Sequence, residues 1–307
     1  MDSAGFTGPV RVLSPDLVLV DWGPMTLTIA VWDKGRARPV MAAQAARSSL
    51  SVLKVLADFQ NFLKIKVGEI SPTGPLPVVV ARAFEAARAS SAELTPLAAV
   101  AGAVADQVAE TAAGLGADRV IVNNGGDIAV RLRRKEQVMV GLKAPGQKEL
   151  LGRLRLQAGS GLGGVASSGW SGRSFSPGVA DLVTVWGENA GLADAAATHI
   201  AGKTTVRVGA VRRARARDLD SSSDLGDTLV TVTVGRLSPS SRQEALTAGL
   251  AAAEEQYRSH CIRGCFILVQ GDFALLDADG VMTLSPSRLA RYRSGIDNYA
   301  SISFNRP

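Results

Sequence analysis

The chain has 307 residues, enough for one large domain or two modest ones with an ample core. Hydrophobic residues make up 46% and charged residues 20%, with no apolar run long enough to span a bilayer, which excludes a disordered chain and a membrane-embedded one. A net charge of +6 with arginines bunched in RLRRK (131–135), RRARAR (212–217) and RLARYR (288–293) invites a nucleic-acid reading, but three tyrosines and eight phenylalanines are few for stacking bases and no reader motif occurs; the charge is read as solvated surface that attracts a small anionic ligand, with no specific nucleic acid as partner.

The opening MDSAGFTGPVRVLSPD lacks a charged start followed by an apolar core, so no secretory signal is expected and the cytoplasm is the expected compartment. Residues 16–31, DLVLVDWGPMTLTIAV, read as two strands around a turn at Gly23–Pro24. Leu27, Ile29 and Val31 alternate there with Thr26, Thr28 and Ala30. From Ala43 to Lys66 the apolar spacing turns helical through Leu50, Leu53, Leu56, Phe59 and Leu63. SPTGPLP (71–77) breaks it, and a second helix is predicted near 78–90.

Thr95 is placed to cap a third helix, with Pro96 at its first position. That helix, to about Ala113, is rich in Ala and Gly, as a buried and closely packed helix would be; Gly114 and Gly116 end it. Strands are predicted at 119–123, 127–133 and 137–143, with the NNGGD turn between the first two. A loop-rich passage covers 144–160, then a strand-like GGVAS, the Gly/Ser-rich SSGWSGRSFSPG, a strand at 182–186 and a small-residue helix ENAGLADAAATHIAG. VRRARARDLDSSSDLGD reads as a flexible, charged, Ser-rich loop, followed by a strand at 228–235, a helix at 239–258 and two or three strands between 264 and 285. Hairpin-like pairs dominate, which is the signature of an α+β fold rather than a doubly wound sheet.

Three segments join small residues to oxygen-bearing side chains: NNGGD (123–127), ASSGWSGRS (166–174) and LADAAAT (192–198). Consecutive backbone N–H groups at a glycine turn can form a concave anion site, and hydroxyls from Ser167, Ser168, Ser171 and Ser174 would add donors. Asp194 and Thr198 are four apart and share a helical face, with Ala195, Ala196 and Ala197 leaving room beside them. A carboxylate and a hydroxyl suit Mg²⁺, which keeps several waters. His199 and His260 stand in no recognised catalytic arrangement, and no nucleophile elbow, Walker loop or dinucleotide fingerprint occurs. Cys261 and Cys265, in CIRGC, read as structural, because two histidines are too few for a Cys/His zinc cage.

Taken in order, NNGGDIA, GVASSG and ADAAAT resemble the motifs of the ApbE superfamily, the flavin transferases, and the longer stretches TPLAAVAGAVAD (95–106), NNGGDIAVRL (123–132), VASSGWSGRSFSPGVADLVTV (165–185) and LADAAATHIAG (192–202) are similar to its UPF-designated branch. The resemblance implies an ApbE-like (T-fold-like) α+β single domain over 18–285, with 1–17 as an N-terminal extension, a flexible Arg/Ser-rich loop at 212–227 and a tail at 286–307. It implies Mg²⁺ on Asp194 and Thr198, completed by a backbone carbonyl of the 123–129 turn. It implies ligand contacts from Asn123, Asn124, Gly125, Gly126, Ser167, Gly169, Arg173 and Ser174, with Asp127 as base and Ser168 as a second catalytic candidate.

The family's H-x-x-D-P-x-T-G segment has no counterpart, since the chain runs RSFSPGVADLVTV there. No D-x-x-[ST]-G-[AS]-[ST] acceptor for self-flavinylation occurs either. The expected function is an ApbE-like enzyme acting on a small anionic ligand, by Mg²⁺-dependent transfer or hydrolysis of FAD with FAD or FMN as ligand. Two alternatives stand beside it. One is a repurposed enzyme on a small carboxylate, for amide or lactam hydrolysis or sulfur incorporation in homocysteine formation, with Arg173 as carboxylate clamp. The other is a non-catalytic flavin-binding protein. A homo-oligomer is compatible with the sequence.

Overall fold

The structure, a computed structural model, describes residues 8–285. In chain order its elements are β1 (Val10–Ser14), β2 (Leu17–Trp22), β3 (Met25–Asp33), β4 (Arg36–Ala37), α1 (Pro39–Asp58), α2 (Gln60–Leu63), α3 (Val78–Ser90), a 3-10 turn (Pro96–Ala99) and α4 (Val100–Gly114). Then follow β5 (Arg119–Asn124), β6 (Asp127–Leu132), β7 (Gln137–Leu142), β8 (Gly152–Gln157), β9 (Gly164–Ser168), β10 (Leu182–Gly187) and α5 (Ala190–Lys203). The last are β11 (Val211–Arg215), α6 (Ala216–Leu219), β12 (Leu229–Val234), α7 (Pro239–Arg258), β13 (Gly264–Val269), β14 (Asp272–Asp277) and β15 (Met282–Leu284). This is the α+β class expected from the hairpins. The expected 18–285 domain is divided by its internal contacts into two compact units, each assembled from several stretches of chain.

Among the described residues, the first unit comprises 8–138, 157–166 and 187–194. Its antiparallel strands run in the order β1, β2, β3, β5, β6, β9, with β4 paired to β3. Val18, Val20, Leu27, Ile29, Val31, Val120 and Val122 are buried from alternating positions of β2, β3 and β5. Helix α1 packs on β1, β2 and β3, and α4 packs on β5, β6, α1 and α3. The buried face of α4 is Ala103, Val104, Ala105, Val108, Ala109 and Ala112, small side chains that let a helix lie close to its neighbours.

Among the described residues, the second unit comprises 139–156, 167–186 and 195–285. It holds the antiparallel run β10, β13, β14, the pair β11 and β12, and the set β15, β8, β7. Helix α7 packs on β13 and β14, and its N-cap Ser238 accepts the Ser241 N–H at 3.1 Å, with Pro239 at the first helical position.

Several expectations shift. The helix predicted over 43–66 begins at Pro39, stops at Asp58 and continues as the single turn α2. Thr95 makes no side-chain cap; Pro96 opens the 3-10 turn and α4 begins at Val100. The loop at 144–160 contains β8, in which Gly152, Leu154 and Leu156 are buried and Arg153, Arg155 and Gln157 exposed. The loop at 212–227 carries most of β11 and all of α6, because β11 finds its hydrogen-bond partner in β12, with an irregular register at Arg212/Arg213. Part of the N-terminal extension folds as β1 on β2, while residues 1–7 and the tail 286–307, with the RLARYR cluster, lie outside the described residues.

Candidate functional site

The NNGG stretch is a two-residue hairpin loop. Asn124 pairs with Asp127, so Gly125 and Gly126 alone make the turn between β5 and β6. Their φ values are +68° and +121°, the left-handed backbone that a tight hairpin of this length demands and that glycine adopts without strain. Asn123 closes the turn from inside: its Oδ1 accepts the Gly126 N–H at 2.8 Å. Asn124 looks the other way and donates from Nδ2 to the Ala101 carbonyl at 3.1 Å, tying the hairpin to the first turn of α4. Asp127 leaves the turn half-buried at the start of β6.

Helix α5 begins inside the same unit, and its first N–H groups are all engaged. Asn189 precedes it and accepts the Leu192 N–H through Oδ1 at 2.9 Å. Asp106 reaches across from α4 and accepts the Ala190 N–H at 3.1 Å and the Gly191 N–H at 2.9 Å. A negative side chain over the exposed amides of a helix start is favourable on both hydrogen-bond and dipole grounds. Asp106 is itself held: Arg131 donates to its Oδ1 at 2.8 Å and to Glu110 at 3.2 Å. Glu110 is gripped in turn by both Nη atoms of Arg82. Although burial works against it, the hydrogen bonds from Arg82 and Arg131 hold the Glu110 carboxyl below its usual range.

Asp194 sits in the second turn of α5 under different conditions. Its Oδ2 accepts the Gly102 N–H at 3.0 Å, and among the described residues it forms no ion pair. Burial first, then the neighbouring Asp127, push its carboxyl well above the usual carboxylate range. Asp106 adds to that, and the Gly102 and Ala101 amides only partly offset it. Three carboxylates therefore share one neighbourhood, one of them neutralised by arginine and another, Asp194, charged only at a cost. A cation bound at Asp194 would remove that cost.

In the second unit, Ser167 is exposed at the end of β9 and its Oγ lies 2.9 Å from the Thr184 hydroxyl. Ser168 is half-buried and Gly169 buried, while Arg173 and Ser174 are exposed in the bend that follows. Thr198 follows Asp194 by four positions along α5 and is half-buried. Burial and then Lys203 push the His199 imidazole below its usual value, with Glu255 partly opposing them. The thiols of Cys261 and Cys265 are buried and unbridged.

The structure thus brings together Asn123, Asn124, Gly125, Gly126, Asp127 and Asp194 in the first unit. It also adds Gly102, Asp106 and Arg131, which sequence reasoning did not single out. A lone carboxylate on the alanine face of α4 was the available signal for Asp106.

The acceptors gathered in the first unit are carboxylate oxygens and main-chain groups, with no thiol or imidazole among them, which is the chemistry of a hard cation. Among the described residues no group of three or more His, Cys, Asp or Glu side chains is arranged to hold a metal ion. No described helix is long and apolar enough to cross a membrane.

Comparisons with known proteins agree with the motifs. A UPF0280 protein of Methanopyrus kandleri is 49% identical over 110 residues, covering 36% of this chain and 43% of that one. A UPF0280 protein of Methanothermobacter thermautotrophicus is 37% identical over 170 residues, covering 52% and 64%. The chain spans about half the length of the curated relatives it matches. The apo crystal structure of the Pseudomonas stutzeri flavinyl transferase ApbE superposes with a TM-score of 0.45 at 14% identity, over 96% of this chain and 100% of that one. The family model described as "AbpE bacteria" matches residues 11–275, and the chain belongs to that family.

Proposed function

We propose that the chain is an ApbE-like transferase that binds a flavin dinucleotide together with a divalent cation at the carboxylates around Asp194. The observation that carries this reading is the state of Asp194: half-buried with Asp127 as a charged neighbour, hydrogen-bonded to the Gly102 amide, and, among the described residues, without an ion-paired cationic side chain. Family membership supports the substrate class.

In this reading Asp194 and Thr198 hold Mg²⁺, and Asp127 adds negative charge beside it. The cation would neutralise diphosphate charge and polarise the bond to be broken. The residues of the chain do the rest. Asp106, fixed by Arg131, holds the start of α5 and so the place of Asp194. The hairpin loop, with no side chains at Gly125 and Gly126, lets the ligand approach the backbone. Asp127 accepts the proton of the attacking group. Arg173, Ser167, Ser168, Gly169 and Ser174 bind the anionic part of the ligand, with Ser168 supplying a hydroxyl to the reacting group.

A second reading is a flavin-binding protein without turnover. It is favoured by one observation: the chain has FSPGVADLVTV where the superfamily has its histidine segment.

The test is a titration of the purified chain with FAD, with and without Mg²⁺, followed by mass analysis of the nucleotides. Mg²⁺-dependent binding with FMN transferred to an acceptor and AMP released is the expected result. Stoichiometric binding with FAD recovered intact selects the second reading, and no binding of FAD removes both.

A further inference from the structure

Strand β5 starts at Arg119 and finishes at Asn124, so ~17 Å of strand separates its start from the Gly125–Gly126 hairpin. Two turns meet at that start, both in the first unit. Lys34 and Gly35 form a two-residue loop between β3 and β4, closed by the pairing of Asp33 with Arg36, and both have left-handed backbone, with φ +50° and +71°. Arg134 and Lys135 are the centre of the turn after β6, where the Glu136 N–H donates to the Arg133 carbonyl at 3.2 Å, and Arg134 is left-handed at φ +59°.

Asp118 clamps the two turns together. Its Oδ2 accepts the Lys34 N–H at 3.0 Å and an Arg134 Nη1–H at 3.1 Å, and its carbonyl accepts the Arg133 N–H at 2.8 Å. The cleft that the turns border has a volume of about 690 Å³, and its charged lining is Lys34, Asp118, Arg119, Arg134, Lys135 and Glu136. Arg119 lies on the Trp32 ring at 4.2 Å and donates from Nη1 to Glu136 at 3.1 Å, with its Nε buried and unpartnered. Arg134 and Arg119 thus answer the two carboxylates. Among the described residues the exposed Lys34 and Lys135 make no ion pair, so four cations against two carboxylates leave the cleft an excess of two positive charges.

Lysine and arginine are poor choices for those backbones. A two-residue loop with both φ values positive is ordinarily Asn-Gly or Gly-Gly, because the Cβ of most residues crowds the next carbonyl oxygen there. Residues kept in left-handed backbone at a cost gather at functional sites, and here both are cations that line one cleft. We propose that this cleft is an anion site, separate from Asp194, that takes a diphosphate group between Lys34, Lys135 and the unspent N–H donors of Arg119 and Arg134. Each guanidinium gives a single nitrogen to the protein, and the rest of its fork fits phosphate oxygens. The two spare charges favour a multiply charged anion over a singly charged one. Among the described residues no aromatic side chain lines the cleft, so a nucleoside attached to the diphosphate adds little. The inference does not rest on the proposed flavin chemistry.

The experiment titrates the full chain with inorganic diphosphate, ADP, AMP and inorganic phosphate by calorimetry, at constant ionic strength and with EDTA so that no divalent cation serves Asp194. The wild type, Lys34→Asn, Lys135→Ala and the double variant are compared, with thermal melts to confirm that each is folded. Diphosphate and ADP are expected to bind the wild type alike, and AMP and phosphate more weakly. Each single change should weaken diphosphate about fivefold, the scale of one contact between unit charges in water, and the double change should weaken it further. Lys34→Asn should melt no lower than the wild type, because asparagine suits the left-handed turn better, so its lost binding is not lost folding. Lys135→Ala leaves both left-handed positions as they are and should show the same loss.

A wild type that binds neither diphosphate nor ADP, a folded double variant that binds diphosphate as tightly as the wild type, or equal affinity for phosphate and diphosphate overturns the inference and leaves the proposed function at Asp194 untouched. ADP bound with diphosphate refused overturns it as well, because recognition would then lie in the nucleoside.

Discussion

The main-chain N–H of Gly102 donates to Oδ2 of Asp194 across 3.0 Å, so the first turn of one helix holds the carboxylate of another. The approach is close enough that a Cβ on Gly102 would sit 2.2 Å from the Ala190 carbonyl oxygen and 2.8 Å from the Gly191 nitrogen, both backbone atoms. In an isolated helix Gly→Ala stabilises by about 1 kcal/mol. Here the clash should win: Gly102→Ala is expected to destabilise by about 1–3 kcal/mol, as overpacking does. Thermal denaturation checks this, and a melting temperature equal to or above that of the wild type would refute the close contact.

Asp194→Asn separates charge from shape. The amide keeps an oxygen for the Gly102 N–H but removes the charge that burial and Asp127 disfavour. Because the folded-state pKa of Asp194 is raised, the native protein binds more protons than the unfolded chain above the unfolded value of about 4. Its contribution is therefore fully present below that pH and is lost as pH rises through the folded value. Urea melts of metal-free wild type should show this loss, and Asp194→Asn should flatten it. Added Mg²⁺ should stabilise the wild type and leave the variant unchanged. A variant with the same pH profile as the wild type would show that another group is responsible.

Arg131→Met strands Asp106, whose side chain is only 4% exposed. Breaking a buried ion pair from one side costs about 3–5 kcal/mol, less whatever the Ala190 and Gly191 amides continue to supply. The double variant Arg131→Met/Asp106→Asn should recover part of the loss, because asparagine still accepts from those amides without a charge to neutralise. Strict additivity of the two single changes in a urea-denaturation cycle would mean that the pair is not coupled.

Asn123→Ala removes the acceptor of the Gly126 N–H, and a loss of about 1 kcal/mol is expected from the missing hydrogen bond. Asn124→Ala breaks the link to Ala101 and should cost a similar amount. If Asn123 serves the turn alone, its alanine variant binds ligand normally once folded. Calorimetric titration with FAD alongside the melt distinguishes the two roles.

Cys265 lies in the interior of β13, and burial pushes its thiol far above the usual range. It should resist a thiol reagent in the native protein and react only when the chain unfolds. Rapid labelling under native conditions, read by mass spectrometry of the peptide, would contradict that burial.

Much of this was legible in local sequence. β3 was visible because Leu27, Ile29 and Val31 alternate with smaller or polar residues, and α4 because its alanines announce close packing. β8 was equally periodic in GRLRLQ, yet the glycines and lysines around it read as loop. β11 could not be read alone, since Arg212, Arg213 and Arg215 make a strand only when β12 supplies the partner. In the site, Asp127 and Asp194 were marked by their motifs. Asp106 was not, because its partners Ala190 and Gly191 lie more than eighty residues away and are main-chain groups that carry no signature in side-chain identity.

Neither compact unit is a continuous stretch of chain. A ribosome must therefore make Asp106, Arg131 and Asp127 well before Asp194, and the amides that Asp106 will cap arrive only with Ala190 and Gly191. Until then the Asp106 carboxylate of α4 has no helix start to hold. A chain that stops after β6 but before residue 190 has the hairpin and the arginine network but lacks the start of α5 and Asp194. Tandem expression of separate halves would have to restore α5 to the first half before either behaved as the parent does.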